Sequence, residues 1–405
     1  MPLSGKHIVI GISGGIAAYK IPSLIRLCVK AGAEVKTIAT KNALQFVTSL
    51  TLETLSGNKV YSDVFDSGND HSIEHVSLSD WADLLVVAPA TANIIGKFAN
   101  GIADDALSTQ FLACASPVIV APAMNHNMLH HPATQRNLAT LSSFPNVKVM
   151  DTCHGELACR QDGDGRMAEP EDIFSAIKQA LTPQDLTGKK VLITAGPTQE
   201  MIDPVRYISN CSTGKMGYAL ADECAMRGAE VTLVSGPTAL SINRHNINRI
   251  DVVSAQDMYN AATAFFEKSD IVILCAAVAD FRPETIATQK IKRENQNGEY
   301  KIKTSQLNLI STPDIAAELG KRKKGQTIIG FALETNNETA NAQDKMQRKN
   351  FDYIVLNSLR NTGAGFGYNT NQITIFGKDG SEKDFPLLPK QEVAKNIINY
   401  VLKTC

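Results

Sequence analysis

The feature that most constrains this chain is an alternation of apolar, β-branched runs with segments of helical periodicity, joined by glycine turns. The run HIVIGISGG is followed by the helical IAAYKIPSLIRLCVKAG, which has a stop at Gly32, and then by the strand-like AEVKTIAT. The same order recurs in KKVLITAGPT and STGKMGYALADECAMRGAEVTLVSG, and both copies carry GAEV at the helix-to-strand turn, at residues 32–35 and 228–231. Five more apolar runs predict buried strands: DLLVVAPA, PVIVAPAM, DIVILCAAVAD, TIIGFALE and DYIVLNS. This pattern predicts an α/β protein with mostly parallel sheets that are covered by helices on both faces.

The length and composition bound the organisation and the class of the protein. A chain of 405 residues, with a polar segment LTPQDLTGKK at 181–190, predicts two doubly wound domains, 1–185 and 186–405. A formal net charge of −1 gives no general electrostatic reason to bind nucleic acid or a membrane. The eight cysteines include no CxxC pair, which favours a reducing compartment over a disulfide scaffold. We see no apolar run of membrane-spanning length and no signal peptide, and therefore expect a cytoplasmic protein.

Small polar residues follow several predicted strands, at the sheet edge where doubly wound folds bind ligands. GISGG places Ser13 and backbone N–H groups where a helix begins, which suits an anion site or a tight turn, since the stretch is neither GxGxxG nor a Walker loop. Another strand is followed by hydroxyl and amide donors that suit a flavin or ordinary helix capping, namely Thr91, Asn93 and later Ser108. Met124 and Asn125 stand at a third strand end.

A cysteine in a polar stretch raises a separate question. Cys159 lies in GELACRQDGDGRMAEP, which lacks the periodicity that buries a thiol, so it is a candidate catalytic acid, metal ligand or surface thiol. His75 is a lone histidine before a predicted strand, and most such residues are surface groups. A metal site is a rival interpretation for the histidine- and cysteine-rich region made of His126, His130, His131, Cys153, His154 and Cys159. This region lacks the CxxC or HExxH spacing of zinc sites, and the sequence leaves metal ligands undetermined.

The stretch STGKMG at 212–217 resembles a Walker loop but lacks two of the residues that this motif requires. Ser209 stands where that motif needs its first glycine, and Met216 replaces the Ser or Thr. A P-loop ATPase is therefore disfavoured, while the glycine turn and its helix still suit a triphosphate through backbone N–H groups.

Longer stretches resemble two known families. GISGGIAAYK, HVSLSDWADLLVVAPATANIIGK, PAMN and ACRQDGDGRM resemble the homo-oligomeric flavin-containing cysteine decarboxylases. ITAGPTQEMIDPVRYISNCSTGKMG, CAAVADFRP, KIKR and GFALETNN resemble phosphopantothenate–cysteine ligases. In this order, and over nearly its whole length, the chain resembles the bifunctional bacterial enzymes of coenzyme A biosynthesis. The resemblance implies a flavodoxin-like flavoprotein domain followed by a Rossmann-like ligase domain.

The resemblance also implies the chemistry of the first domain. After ligation, 4′-phosphopantothenoylcysteine would be decarboxylated to 4′-phosphopantetheine with FMN as the cofactor. Cys159 would donate a proton from a flap, Asn125 would hold the substrate carboxylate, and His75 would act as a base or orienter. The implied flavin-site residues are Gly11, Ser13, Gly14, Thr40, Thr91, Asn93, Ser108 and Met124.

For the second domain, the resemblance implies ligation of 4′-phosphopantothenate to cysteine through an acyl-cytidylate formed from CTP, with Mg²⁺. Asn210 would hold the acyl intermediate, Lys290 would offset charge during nucleotidyl transfer, and Arg206 would lie at a dimer contact. The other implied site residues are Cys275, Ala276, Asp280, Thr312, Pro313, Asp314, Ile315, Phe331, Lys345 and Lys349. Flavin-domain trimers joined through ligase-domain dimers are implied as the assembly.

Three residues depart from the pattern of these families. Arg160 follows the flap cysteine where the family usually has glycine, and Ser358 and Asn369 stand where aspartates are common.

Two alternative functions stay open. One alternative is a flavin oxidoreductase whose second half binds a nucleotide without ligation, and the other is a regulatory flavoprotein that binds partners. The presence of both Cys159 and the ligase motifs favours the bifunctional enzyme.

Overall fold

The computed structural model describes residues 3–63, 74–156, 162–242, 244–296, 299–302, 306–334, 336–358 and 363–404. The chain divides into two compact units, Met1–Pro183 and Gln184–Cys405. Within the described ranges, every helix is too short or too polar to cross a membrane.

The first unit is built on a six-stranded sheet in which neighbouring strands all run parallel. Its strands are β1 (His7–Ile12), β2 (Glu34–Ala39), β3 (Val60–Tyr61), β4 (Leu84–Ala90), β5 (Val118–Pro122) and β6 (Val147–Val149), and a separate antiparallel pair is formed by β7 (Cys153–Glu156) and β8 (Asp162–Arg166). Its helices are α1 (Ile21–Lys30), α2 (Ser49–Ser56), α3 (Glu74–Trp81), α4 (Ala92–Ala99), α5 (Ala106–Ala113), α6 (His126–His130), α7 (Pro132–Ser142) and α8 (Pro170–Ala180). The sheet order is β3-β2-β1-β4-β5-β6, and without the two-residue β3 the remaining strands follow the order 2-1-3-4-5. That is the flavodoxin-like order that we expect for this domain.

Alternate side chains of β1 enter two different hydrophobic cores, one on each face of this sheet. Ile8, Ile10 and Ile12 pack in the core that includes residues of α1 and α8. Val9 packs on the other face, in the core that includes residues of α4 and α5. Because both faces are covered, the central strands read as continuous apolar runs, and β4 is buried at each of its positions.

The second unit is built on an eight-stranded sheet of order β13-β12-β9-β14-β19-β20-β21-β22. The sheet strands are β9 (Lys190–Ala195), β12 (Glu230–Ser235), β13 (Ile247–Asp251), β14 (Ile271–Leu274), β19 (Thr327–Glu334), β20 (Tyr353–Ser358), β21 (Thr370–Gly377) and β22 (Glu382–Pro389), and the short strands are β10 (Gln199–Met201), β11 (Tyr207–Ser209), β15 (Phe281–Pro283), β16 (Arg293–Gln296), β17 (Glu299–Ile302) and β18 (Leu309–Ser311). The helices are α9 (Lys215–Met226), α10 (Ala255–Phe266), α11 (Ile315–Arg322), α12 (Glu338–Arg348) and α13 (Lys390–Thr404). The first six sheet strands are parallel in the Rossmann order 3-2-1-4-5-6, and β21 and β22 extend them antiparallel. The predicted class of two mostly parallel, doubly wound sheets is confirmed.

The repeated GAEV segments end their helices in the same way. Gly32 and Gly228 have φ of +92° and +90°, a left-handed conformation that glycine adopts without a Cβ clash. The next amide reaches back to the helix in both copies, from Ala33 N to Cys28 O and from Ala229 N to Cys224 O, each at 3.1 Å. This is the Schellman arrangement, and it aims the chain into β2 and β12. The repeated sequence is therefore one helix-to-strand turn used twice.

Candidate functional site

The first candidate site is a cleft of about 1260 Å³ at the carboxyl ends of β1 and β4, where the sheet order reverses. Ser13 follows β1 directly and reaches across to β4. Its Oγ donates to Pro89 O at 2.7 Å and accepts from Thr91 N at 3.0 Å. The hydroxyls of Ser13 and Thr91 lie 3.1 Å apart. One buried serine therefore joins the two strand ends on which the cleft is built.

Most of the predicted flavin-site residues line this cleft: Ser13, Gly14, Thr40, Thr91, Asn93 and Met124, together with Asn125. The other two, Gly11 and Ser108, lie next to this lining. A Cβ at Gly11 would fall 2.3 Å from Leu107 Cδ1, so this glycine permits the close approach of β1 and α5. Ser108 is fully buried, and it exchanges capping hydrogen bonds with Asp105 at the start of α5. Asp105 itself lines the cleft.

Two lysines of this cleft, Lys97 and Lys20, are held close to carboxylates. Lys97 Nζ lies 2.6 Å from both Asp104 Oδ1 and Asp105 Oδ2. Burial alone would lower the pKa of Lys97, but its hydrogen bonds to the two aspartates raise it overall. Lys20 Nζ lies 2.7 Å from Glu169 Oε1, and this hydrogen bond holds the pKa of Glu169 below its usual range. Both lysines are therefore held in place at the edge of the cleft.

One wall of the cleft is formed where β5 ends against β8. Met124 N donates to Gly165 O at 3.0 Å. Gly165 has φ of +122°, and a Cβ there would fall 2.3 Å from Met124 O, so the close approach requires glycine. Asn125 caps α6, since its Oδ1 accepts from Asn127 N at 2.8 Å. This wall brings Asn125 and β8 to the same side of the cleft.

Two predicted catalytic residues have no described side chain. Residues 157–161, with Cys159 and Arg160, lie outside the described residues, between β7 and β8. His75 belongs to α3, and its side chain is likewise outside the described part.

The second candidate site lies at the carboxyl ends of β9, β14 and β19. Asn210 Nδ2 donates to Ala277 O at 3.0 Å and to Val278 O at 3.2 Å, which joins the segment after β11 to the segment after β14. Gly217 lies where a Cβ would fall 2.5 Å from Ala195 Cβ, so α9 packs directly on the end of β9. The glycine turn of STGKMG thus belongs to a tightly packed strand end, as in nucleotide-binding folds.

The lysine of STGKMG is held by a late loop. Lys215 Nζ donates to Gly367 O at 3.0 Å and to Asn369 Oδ1 at 2.8 Å. Asn369, the departure from the family pattern, thus has a defined contact. Ser358, the other such departure, ends β20, and its side chain lies outside the described residues.

A buried aspartate organises the segment that carries Lys290. Asp203 is fully buried, and its Oδ2 accepts from Arg206 Nε at 3.0 Å and from Ile291 N at 3.1 Å. Arg206 Nη2 donates to Ile291 O at 2.8 Å, so both backbone groups of Ile291 are held. The Arg206 hydrogen bond, with the backbone N–H donors, keeps the pKa of Asp203 well below its usual range. Lys290 is exposed beside this anchored residue.

Two lysines of α12 and its end meet predicted site residues. Lys345 Nζ donates to Phe331 O at 2.9 Å, and Lys349 Nζ contacts Asp314 Oδ2. Burial lowers the pKa of both lysines, and the charge of Asp280 partly offsets this effect.

The segment that holds Thr312, Pro313, Asp314 and Ile315 is tied to the strand end before it. Thr312 N donates to Asp280 O at 3.1 Å, and Thr312 Oγ1 donates to Ala279 O at 2.5 Å. Asp314 caps α11, which begins at Ile315, by accepting from Ala317 N at 2.9 Å. The structure therefore brings Asp280, this segment, Phe331 and the two lysines into one neighbourhood.

Cys275 and Ala276 continue the chain at the end of β14. Burial raises the pKa of the Cys275 thiol to about 12, so it stays protonated at neutral pH. Ala276 N donates to Thr194 Oγ1 at 3.3 Å, which fixes this backbone to β9. The half-exposed thiol therefore stands at this strand end as a neutral group.

Sequence reasoning missed Asp203 and the role of Lys215. A signal for Asp203 exists in the Asp-Pro dipeptide of MIDPVR, because such dipeptides start turns. Asp203 Oδ1 indeed accepts from Val205 N at 2.8 Å and from Arg206 N at 2.9 Å. Lys215 has no local signal, since its partners lie about 150 residues further along the chain, with separations of 152 and 154.

Comparisons with known proteins match both halves. The Flavoprotein family model matches residues 2–182, and the model of the DNA/pantothenate metabolism flavoprotein C-terminal domain matches residues 186–404. The chain is 45% identical over 402 residues to the coenzyme A biosynthesis bifunctional protein CoaBC of Bacillus subtilis (strain 168), covering 98% of this chain and 97% of the relative. It is 45% identical over 405 residues to the protein of that name from Haemophilus influenzae, covering 100% and 98%. It is also 52% identical over 362 residues to a cysteine/cysteine sulfinic acid decarboxylase of an unknown prokaryotic organism, covering 88% and 99%.

Proposed function

Because the chain belongs to the family of bifunctional coenzyme A biosynthesis proteins, we propose how its two halves divide the work. Residues 186–405 ligate 4′-phosphopantothenate to cysteine through an acyl-cytidylate, with CTP and Mg²⁺. Residues 1–185 decarboxylate the resulting 4′-phosphopantothenoylcysteine to 4′-phosphopantetheine, with FMN, in the cytoplasm. The observation that carries this proposal is that each half has its own cluster of family-matching residues at the carboxyl edge of its own sheet.

The cleft of the first unit fits a flavin mononucleotide. Its volume of about 1260 Å³ exceeds the roughly 300–1,000 Å³ of ordinary small-molecule sites. A Cβ at Gly14 would fall 2.4 Å from Asn42 Cβ, so glycine keeps the backbone at the cleft floor compact. The Ser13 hydroxyl donates to Pro89 O at 2.7 Å and lies 3.1 Å from Thr91 Oγ1, so the two hydroxyls together form a polar part of the cleft lining. When bound, FMN supplies oxidation of the substrate at its thiol-bearing carbon and the later return of a hydride.

The chain's own groups bind the substrate and move its protons. Asn125 Oδ1 is the acceptor for Asn127 N, so the Nδ2 group is the end of the amide that donates to the substrate carboxylate. Cys159 is the acid that protonates the product carbon after carbon dioxide has left, and His75 is the base or orienter.

Replacement of the proton donor tests the first half. Cys159→Ser should still bind FMN, oxidise and decarboxylate, because neither step needs this acid. A hydroxyl is a far weaker acid than a thiol, whose pKa is about 8.5 in model peptides, so the product should be an oxidised aminoenethiol, about two hydrogen masses lighter than 4′-phosphopantetheine. Cys153→Ser, on β7, is the matched control and should give the ordinary product. Ordinary product from Cys159→Ser, identified by mass, would sink the assignment.

In the second half, we assign Lys290 to the charge that spreads over the phosphates during nucleotidyl transfer. The Asp203–Arg206–Ile291 anchor supports this role, because it fixes the backbone next to Lys290 while leaving that side chain exposed. Arg206 is thereby a positioning residue, in addition to the dimer contact that the family implies.

Lys345 and Lys349 are held at the same edge by Phe331 O and Asp314, and they supply further positive charge for the triphosphate. The Asp280 carboxylate is the hard oxygen ligand that suits Mg²⁺. Asn210 is held at this sheet edge by the two carbonyls that its Nδ2 contacts, and in this position it would hold the acyl-cytidylate.

The decisive assay uses the full chain with CTP, Mg²⁺, cysteine and 4′-phosphopantothenate, and identifies the products by mass. Lys290→Gln should lower acyl-cytidylate formation about 100-fold or more, whereas the neighbouring control Lys292→Gln should keep it. Asn210→Asp should spare activation but impair use of the acyl-cytidylate, because a carboxylate repels its phosphate. Equal activity of the Lys290 and Lys292 variants would show that Lys290 is only a surface charge.

A second candidate activity of the first unit is decarboxylation of free cysteine or cysteine sulfinic acid. The observation in its favour is the 52% identity over 362 residues to a decarboxylase of that name. The same assay decides it when CTP and 4′-phosphopantothenate are left out. Carbon dioxide released from cysteine alone would favour this activity, and release only after ligation would refute it.

We also infer that the first unit forms trimers and that ligase dimers join them. Three apolar side chains at the cleft are largely exposed in the single chain: Ile16 at 55%, Tyr19 at 61% and Met128 at 48%. Exposed apolar groups beside a ligand cleft are typical of subunit contacts. Light scattering on the purified chain should give a mass that is a multiple of three chains, and a monomer would contradict this assembly.

A further inference from the structure

Three potential metal ligands converge behind the wall of the flavin cleft. His126 and His130 of α6 and Asp164 of β8 offer ligand atoms that all lie within 4.8 Å of one another. His130 Nε2 lies 3.4 Å from Asp164 Oδ2, and the two imidazole rings have centroids 4.4 Å apart. The cluster lies outside the set of residues assigned above to flavin or substrate.

The fold holds these side chains together for identifiable reasons. The spacing of four residues puts His126 and His130 on one face of α6. The hydrogen bond from Met124 N to Gly165 O fixes β8 against the residues that lead into α6. Gly163 completes the fit, because even a Cβ at this position would fall 3.3 Å from His126 Nδ1. The short distance between the helix and the strand is therefore built into the backbone.

His126 has an unsatisfied polar atom at this place. Its Nδ1 is buried and has no hydrogen-bond partner within the described part of the chain. A buried nitrogen that stays unpaired destabilises the folded state, so such an atom calls for a partner. In a neutral imidazole, the nitrogen that carries no hydrogen has a lone pair that can bind a metal ion.

We propose that His126, His130 and Asp164 bind a late first-row divalent cation such as Zn²⁺ and that the ion ties α6 to β8. Two imidazoles and one carboxylate match the ligand preferences of Zn²⁺, and they leave a fourth position for water. Bonds of about 2.0–2.2 Å in a tetrahedron bring ligand atoms to roughly 3.3–3.6 Å of one another. The required contraction falls on His130 and Asp164, whose side chains are 52% and 44% exposed and are able to rotate.

The ion strengthens the wall on which Met124, Asn125 and Gly165 line the flavin cleft. Metal binding itself is independent of the proposed reaction. The tests therefore measure metal binding and the protection of the β8 amides, and neither needs an activity assay.

The first test is zinc binding by the chelator-treated, full-length protein, in competition with a chromogenic zinc indicator. His130→Gln and Asp164→Asn should each weaken binding of one equivalent per chain at least about tenfold, as loss of a ligand does. His131→Asn is the matched control, because Asn retains the helix cap that His131 provides by accepting from Ala133 N at 3.2 Å. The control should bind zinc as the parent does.

The second test separates this site from the cysteines. Co²⁺ bound by two histidines and a carboxylate gives weak visible bands without the strong near-ultraviolet absorption of a thiolate ligand. Hydrogen exchange of the β8 amides should slow on addition of Zn²⁺ in the parent and in His131→Asn, but not in Asp164→Asn. Three outcomes would each overturn the proposal. The parent could fail to bind one equivalent of zinc, or His131→Asn could weaken zinc binding as much as the ligand variants do. The Co²⁺ protein could also show thiolate absorption that persists in His130→Gln. Loss of ligation or decarboxylation activity in the assays above would leave it standing.

Discussion

Ser13→Ala is the sharpest test of the claim that the cleft between β1 and β4 binds the flavin. The substitution takes a donor from Pro89 O and an acceptor from Thr91 N. Pro89 O keeps a second donor, Ser13 N at 3.3 Å, so the larger loss falls on the Thr91 amide. A buried group left without its hydrogen bond costs about 1–3 kcal/mol. The free energy of unfolding should fall by that amount if no water replaces the lost bond, and by less if water reaches the Thr91 amide.

The same loss should appear in flavin affinity. Without ligand, water reaches the half-buried Thr91 and replaces part of the lost hydrogen bond. A bound flavin displaces that water, so the cost is then expressed in binding. At about 1.4 kcal/mol per tenfold change, a cost of about 1–3 kcal/mol corresponds to about 5- to 150-fold weaker FMN binding. Fluorescence titration of FMN into the apoprotein measures this, and urea unfolding measures the stability.

A matched serine provides the control. Ser116 Oγ donates to Ala82 O just before β5 and β4 begin, outside the cleft lining. Ser116→Ala should lower the free energy of unfolding by a similar amount and leave FMN affinity unchanged. If Ser13→Ala is destabilised but binds FMN as tightly as the parent, Ser13 is only a structural residue and the flavin site lies elsewhere.

Three further predictions concern the second unit. The pKa of Asp203 is depressed, so its contribution to stability is present above the unfolded carboxyl pKa of about 4 and is lost as pH falls below it. The stability difference between the parent and Asp203→Asn should therefore be constant above about pH 5 and shrink in acid, as urea unfolding would show, and an unchanged difference at low pH would contradict the role of the Arg206 contact. Cys275, with a pKa of about 12, is ionised in about one molecule in ten thousand at pH 8, so iodoacetamide should modify exposed Cys211 and spare Cys275 in peptide mass mapping. Asn369→Asp places a carboxylate at the exposed contact with Lys215. An exposed ion pair contributes about 0.2–1 kcal/mol, so calorimetry should show at most a small rise in Tm. A large change in ligation activity would mean that residue 369 touches the nucleotide.

The sequence by itself determined the local units of the fold. Gly32 and Gly228 end their helices in the left-handed conformation that their placement before AEV predicts. Each of the five apolar runs that predict buried strands contains a strand of one of the two sheets, namely β4, β5, β14, β19 or β20. These features depend on residues that are close in the chain, where side-chain periodicity and glycine freedom act directly. The family motifs added the candidate site, since they record residues that act together although they are distant in sequence.

Only the tertiary structure decided which of these residues share a site and which support it. Ser108 suits a flavin contact by its residue type, but packing buries it beneath the cap of α5. Asp164 meets His130 across 34 residues, and Asn369 meets Lys215 across 154. Such pairs leave no periodic signal, because the distance between the two partners is set by how the strands and helices pack. The sequence thus determined the elements and their edges, and the packing of those elements determined the chemistry at each edge.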